Sequence, residues 1–357
     1  ASDSIRPRPE ATLSVVTQGD GGRPGGTSTK KLLPALGVFG FGALEPVVVA
    51  ALASEAPLLL VGPHGTGKSF LLLRLAEALG LAFRHYNASL LSFDDLVGFP
   101  MPDASGGIRY VPTAASIQGA EAVFLDEISR ARPEVQNKLF SIIHERRVLG
   151  MPLTSLRHRW SAMNPPAEAG DDLSPYGGAE RLDLALADRF AFVCTVPSWG
   201  DLSPAEQDGV LLKAHEEISP GGAEALKRAV SEARLRIPGL RAQLGAGIAA
   251  WVRAVANLLP SVDFAPSPRR AVFLLENAIA VHAAELACDP AARLEDSAFL
   301  ALLHSLPAAA TSGPIPAVRL LPLHRKAWGE TKAPSAPRVA PPKRRAPATS
   351  LERVVHL

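Results

Sequence analysis

Short apolar runs alternate with helically spaced apolar positions through the first part of the chain. Residues 57–62 (Pro-Leu-Leu-Leu-Val-Gly) are an unbroken apolar run closed by glycine, the pattern of a strand buried on both faces. Residues 68–79 read as a helix, and 83–88 and 122–127 as second and third strands. Residues 135–145 carry Val135, Leu139, Ile142 and Ile143 on one helical face, and 159–164 and 190–196 complete five strands. Strands alternating with helices predict a wound α/β sheet. After Pro197 the period changes, and 205–215, 223–234, 240–259 and 267–287 all read as helices. Leu240, Leu244, Ile248, Trp251, Val252 and Val255 form a stripe that predicts core packing rather than a cofactor site. The expected architecture is a five-stranded parallel sheet sandwiched by helices, followed by a small all-helical lid.

The two ends break this pattern. Residues 1–30 are rich in Gly, Ser, Thr and Pro and predict a flexible arm, with a short extended piece at 11–17. Pro and Ala dominate 331–350, where Lys332, Arg338, Lys343, Arg344 and Arg345 make a basic tail. The expected divisions are therefore 1–30 (arm), 31–197 (α/β domain with an insert at about 90–117), 198–310 (helical lid) and 311–357 (tail). The 357 residues are 47% apolar and 20% charged, enough for two folded units. A net charge of +2 and 6% aromatic residues argue against a nucleic-acid-binding surface. Cys194 and Cys288 lie in apolar segments and read as buried thiols, and no Cys/His spacing resembles a zinc site. The first residues lack the build of a signal peptide, and no uninterrupted apolar run is long enough to cross a bilayer. A cytoplasmic protein with no membrane span is expected.

Candidate chemistry begins directly after the first strand. Gly62-Pro63-His64-Gly65-Thr66-Gly67-Lys68-Ser69 fits G-x-x-x-x-G-K-[ST] without mismatch, between a strand and a helix that starts with Phe70 close behind. Glycines let the backbone wrap phosphates, so that successive N–H groups and the helix N-terminus face negative charge. Lys68 can reach the terminal phosphates and the Ser69 hydroxyl can ligate Mg²⁺. His64 reads as a tolerated filler. Asp126 and Glu127 end an apolar strand, where Asp126 would hold Mg²⁺ through water and Glu127 would polarise the attacking water. ATP and Mg²⁺ are the expected ligands.

Further along, the chain resembles the MoxR family of AAA+ ATPases. The resemblance rests on Asp126-Glu-Ile-Ser-Arg-Ala-Arg-Pro, the later Glu145-Arg-Arg, Ala162-Met-Asn164-Pro165, Leu186-Ala-Asp188-Arg189-Phe190 and Ser267-Pro268-Arg269, in the expected order. Ser129 stands where the family usually has Asn. The resemblance implies a P-loop NTPase of the AAA+ type in a hexameric ring, with Asn164 orienting water at the γ-phosphate. It makes Arg189 an arginine finger reaching the neighbouring subunit and Arg269 a lid residue contacting phosphate. It also implies two projections, one from the insert at 90–117 and one between Arg147 and Arg157. Phe99 and Met101 in the first either touch a partner or pack the insert down. Family members act with a von Willebrand factor A-domain protein on a client enzyme, sometimes in metal-centre maturation. Three functions remain open: an ATP-driven protein remodeller, a motor on nucleic acid, and a nucleotide-gated scaffold without turnover.

Overall fold

The computed structural model of the chain describes residues 31–166, 181–214 and 216–331. The arm at 1–30, the basic residues Lys332, Arg338, Lys343, Arg344 and Arg345, and His215 lie outside the described residues. In chain order, α1 (Glu45–Ser54), β1 (Leu58–Val61), α2 (Lys68–Leu79) and β2 (Phe83–Asn87) open the sheet. The insert holds α3 (Phe93–Val97) and a hairpin of β3 (Phe99–Pro102) and β4 (Ile108–Val111). Next come β5 (Ala122–Asp126), α4 (Pro133–Glu145), the short hairpin β6 (Arg147–Val148) and β7 (Met151–Pro152), β8 (His158–Met163), α5 (Leu184–Ala187) and β9 (Phe192–Thr195). The helical part comprises α6 (Pro204–Lys213), α7 (Pro220–Leu258), α8 (Pro268–Cys288), α9 (Leu294–Leu303), α10 (Ala308–Thr311) and α11 (Ala317–Glu330).

The main sheet runs β2-β5-β8-β1-β9, all parallel. Alternate residues of each inner strand face opposite sides, and both sides are covered, so β1 is apolar throughout and β5 is apolar up to Asp126, while β8 buries His158, Arg159 and Ser161 among its apolar residues. Leu58, Leu60, Phe124, Trp160 and Phe192 enter one core with α1, α2, α7 and α8. Leu59, Val61, Val123, Leu125 and Met163 enter the other with α3, α4 and α10. The helical part therefore shares a core with the sheet rather than forming its own. Burial of the Leu240-to-Val255 stripe follows from this, with Trp251 and Val255 fully covered.

Several expectations change. The two helices expected at 223–234 and 240–259 are one helix, α7, which runs through Pro238. Pro238 cannot donate to the carbonyl four residues earlier, but Ala233 and Leu240 are buried on either side of it, and packing holds both halves. The expected tail from 311 instead contains α11, which docks His324, Ala327 and Trp328 beside Trp251. Helix α1 carries no strong amphipathic period because it is buried all round, and the sequence pattern does not announce it. Cys194 is buried as expected, but Cys288 is exposed, because it is the last residue of α8 and lies beyond the covered turn of Ala283 and Ala284. Residues 220–262 and α8 are long and apolar enough to span a bilayer by composition. Both instead pack against each other and α1, with Arg234 and Arg270 engaged by the sheet domain.

Both expected projections are hairpins. Phe99, Met101 and Ile108 are exposed on the first, which settles the choice against packing the insert down. Gly98 lies at φ 92°, where a Cβ would meet the Val111 carbonyl oxygen at 2.1 Å, so glycine is required where this hairpin closes. The second exposes Leu149 and Met151 at its tip.

Candidate nucleotide site

The phosphate loop hangs from β1 at the carboxyl edge of the sheet, next to the ends of β5 and β8. Strand order reverses around β1, and such a switch point opens a crevice outside the strand ends. The ladder continues past β1 through the Gly62 N–H, which donates to the Met163 carbonyl at 3.2 Å. Lys68 donates to the carbonyls of Gly62 and Pro63 at 2.7 Å each, and Thr66 Oγ1 donates to Pro63 O at 2.8 Å, so the loop is held in a tight curl. Gly67 takes φ 81°, and the Phe41 ring would sit 3.6 Å from any Cβ there. A cavity of about 350 Å³ opens over this curl, lined by His64, Gly65, Thr66, Gly67, Lys68, Ser69, Phe70, Asp126, Glu127, Met163 and Asn164.

The acids stand opposite the loop. Ser69 Oγ donates to Asp126 Oδ2 at 2.9 Å, and the Glu127 N–H donates to Asp126 Oδ1 at 2.9 Å. Burial would raise the Asp126 carboxyl, but hydrogen bonds from His85, Ser69 and the Glu127 backbone hold it below the usual carboxylate range. Burial lowers the Lys68 ammonium, against the attraction of Asp126 and Glu127. Glu127 is left-handed at φ 52°, a conformation that costs a non-glycine residue about 1 kcal/mol and clusters at functional sites. Its carboxylate lies 3.7 Å from Arg130. Asn164, 5% exposed at the end of β8, is 3.1 Å from His64 Nε2.

The two arginines lie elsewhere. Neither Arg189 nor Arg269 lines the cavity. Arg189 stacks over the Phe140 ring at 4.2 Å and donates to the Ala185 carbonyl at 2.6 Å. Arg269 pairs with Asp188 at 3.3 Å, and the same carboxylate accepts from Ser267 at 2.9 Å. Asp188 thus holds the start of α8 beside Arg189. Charge from Arg269 contributes, after burial, to lowering Arg189.

Four residues went unmarked in the sequence. His85 lies 3.6 Å from Asp126 and stacks on Phe124 at 4.6 Å. Arg130 sits beside Glu127, and Phe41 against the loop, a long way back in the chain. Arg270, 1% exposed, pairs with Asp188 and donates to the Phe190 and Ser305 carbonyls at 2.9 and 2.7 Å. Only for Arg130 was there a signal, its i,i+3 spacing from Glu127.

Residues 57–190 match the model of the AAA domain, dynein-related subfamily. Over 108 residues, 29% of this chain, the sequence is 32% identical to midasin of Giardia intestinalis, covering 2% of that protein. Over 145 residues, 39% of this chain, it is 31% identical to the Holliday junction branch migration complex subunit RuvB of Synechococcus sp. (strain RCC307), covering 37% of it. The chain thus spans only a minor part of either curated relative. A crystal structure of a candidate ATPase from Cytophaga hutchinsonii superposes with a TM-score of 0.55 at 18% identity, covering 83% of this chain and 93% of that one. Residues 57–190 carry an AAA domain of the dynein-related kind, and the fold is that of an AAA+ P-loop NTPase.

Proposed function

We propose that the protein hydrolyses ATP and uses the cycle to remodel a client protein, as a MoxR-type ring ATPase of the cytoplasm. The observation that carries this reading is the convergence of Lys68, Ser69, Asp126, Glu127 and Asn164 on one cavity. Backbone N–H groups of the loop and the N-terminus of α2 receive the phosphates, and Lys68 neutralises the terminal ones. Ser69 Oγ and the ionised Asp126 offer hard oxygen donors that suit Mg²⁺. Among the described residues no three His, Cys, Asp or Glu form a metal cage, as fits an ion that leans on phosphates and water. When bound, Mg²⁺ supplies charge neutralisation between the phosphates. Glu127 takes the proton of the attacking water, and Asn164 orients that water.

Arg189 completes the site from a neighbouring subunit, which agrees with its place outside its own cavity. Arg269, beside it, reaches the same neighbour's phosphates. By its MoxR resemblance the assembly is a hexameric ring that works with a von Willebrand factor A-domain protein on a client enzyme, including metal-centre maturation. The exposed hairpins at 99–111 and 147–152 are where such a machine meets its client.

Phosphate release from wild type, Lys68→Ala and Glu127→Gln tests the reading. Glu127→Gln is expected to lose about a hundredfold or more in turnover while still binding ATP, and Lys68→Ala to lose binding. Equal background rates in wild type and Glu127→Gln would favour a nucleotide-gated scaffold. A second reading, a motor on nucleic acid, is favoured by the RuvB match alone. DNA-stimulated, salt-sensitive ATPase activity would establish it.

A further inference from the structure

His64 is the second residue after the first glycine of the phosphate loop, a position the loop chemistry leaves open. Val61 lies opposite Met163 in the β1–β8 ladder, and the Gly62 N–H extends that ladder by one bond. The loop therefore leaves β1 directly over the end of β8, and His64 Nε2 arrives 3.1 Å from Asn164 Nδ2. Asn164 is nearly buried, so its amide needs a fixed partner. An asparagine amide has a donor end and an acceptor end of almost the same shape, so sterics alone do not choose which end faces the cavity. A ring nitrogen without a proton accepts only from the NH₂ end and so makes the choice.

We propose that His64 is a positioning residue for Asn164: it takes the Nδ2 hydrogen and leaves Oδ1 as the end that orients the attacking water. The pair also joins the loop that grips phosphate to the strand end that senses it. This inference rests on the reading of the cavity as a site of ATP hydrolysis.

The test is a double-mutant cycle in the full chain, assembled with ATP and Mg²⁺. Steady-state kcat and KM are measured for wild type, His64→Ala, His64→Gln, Asn164→Ala and the double variant, with Kd for fluorescent ATP and ADP analogues. His64→Ala is expected to lower kcat about tenfold or more while shifting KM and Kd by less than about threefold. The double variant should be no slower than Asn164→Ala, and His64→Gln, whose amide oxygen can accept the same hydrogen, should recover part of the rate. Wild-type kcat in His64→Ala would overturn the proposal. So would a raised KM at unchanged kcat, or losses that multiply in the double variant. If wild type turns over no faster than Lys68→Ala, the hydrolysis reading itself has failed. The pair is then judged on binding: loss of the ATP-over-ADP preference in either single variant, with no further loss in the double, supports it. An unchanged preference in His64→Ala overturns it.

Discussion

Asp126 ties the phosphate loop to the end of β5. Its two oxygens receive the Ser69 hydroxyl and the Glu127 N–H, with His85 close by, so one carboxylate fixes the phosphate loop, Ser69 and Glu127 relative to one another. Ser69, Asp126 and Glu127 were legible in the sequence because motif spacing along one strand or loop encodes them. His85 was not, because it reaches Asp126 across a ladder that pairs Asn87 with Asp126. Arg189 marks the limit of the single chain, since it packs on Phe140 away from its own cavity. Arg189→Ala is expected to leave ATP affinity near wild type and to cut turnover about a thousandfold, the usual worth of a finger supplied by a neighbour. Mixing Arg189→Ala with Lys68→Ala should restore part of the rate, because each variant supplies what the other lacks. A mixture no faster than its components would rule out a finger acting between subunits.

At the scale of elements, period and punctuation sufficed where packing and propensity agree. The five strands lie within two residues of the segments 57–62, 83–88, 122–127, 159–164 and 190–196, and α2, α4, α6 and α8 lie within a few residues of their periodic segments. Disagreement came where tertiary contacts override a local rule. Helix α7 keeps Pro238 in its interior, leaving the Arg234 carbonyl without its helical donor, while Arg234 itself donates to the Leu52 and Ala53 carbonyls at the end of α1. Pro238 is exposed, so the break is held shut by its buried neighbours and not by the ring. Pro238→Ala is expected to restore a helical bond and stabilise the protein by about 1–2 kcal/mol, less than the full penalty because the unfolded chain gains freedom. Thermal unfolding measures it, and a lowered melting temperature would show that the proline's geometry is used. The two hairpins were foreseen as projections, but not as paired strands, because Phe-Pro-Met-Pro offers no alternation to read.

Across the whole molecule, one carboxylate joins parts far apart in sequence. Glu55, left-handed at the end of α1, binds Arg157 at 2.8 Å and Arg146 and Arg234 at 3.3 Å each. Arg146 and Arg157 flank the β6–β7 hairpin, and Arg234 belongs to α7, so hairpin, sheet domain and helical part meet at one residue. Burial raises the Glu55 carboxyl, but the Arg157 hydrogen bond and the charges of Arg157, Arg234 and Arg146 outweigh it and hold the group below its ordinary value. A depressed carboxylate stabilises fully above its unfolded pKa of about 4.3 and loses that contribution as pH falls through the lower folded value. Glu55→Gln is therefore expected to cost about 1–2 kcal/mol at pH 7, discounted for partial exposure. Denaturant titrations should show the gap from wild type closing as the pH drops below about 4, and a gap independent of pH would refute the clasp. The sequence by itself determined the strands, the phosphate loop and the acids at Asp126 and Glu127, because each depends on neighbours in the chain or on a period along it. Only the tertiary structure decided that α7 is continuous, that sheet and helices share a core, that His64 meets Asn164, and that Arg189 and Arg269 stand together outside the cavity. Those arrangements depend on which surfaces pack and which strands lie side by side, and local spacing does not carry that information.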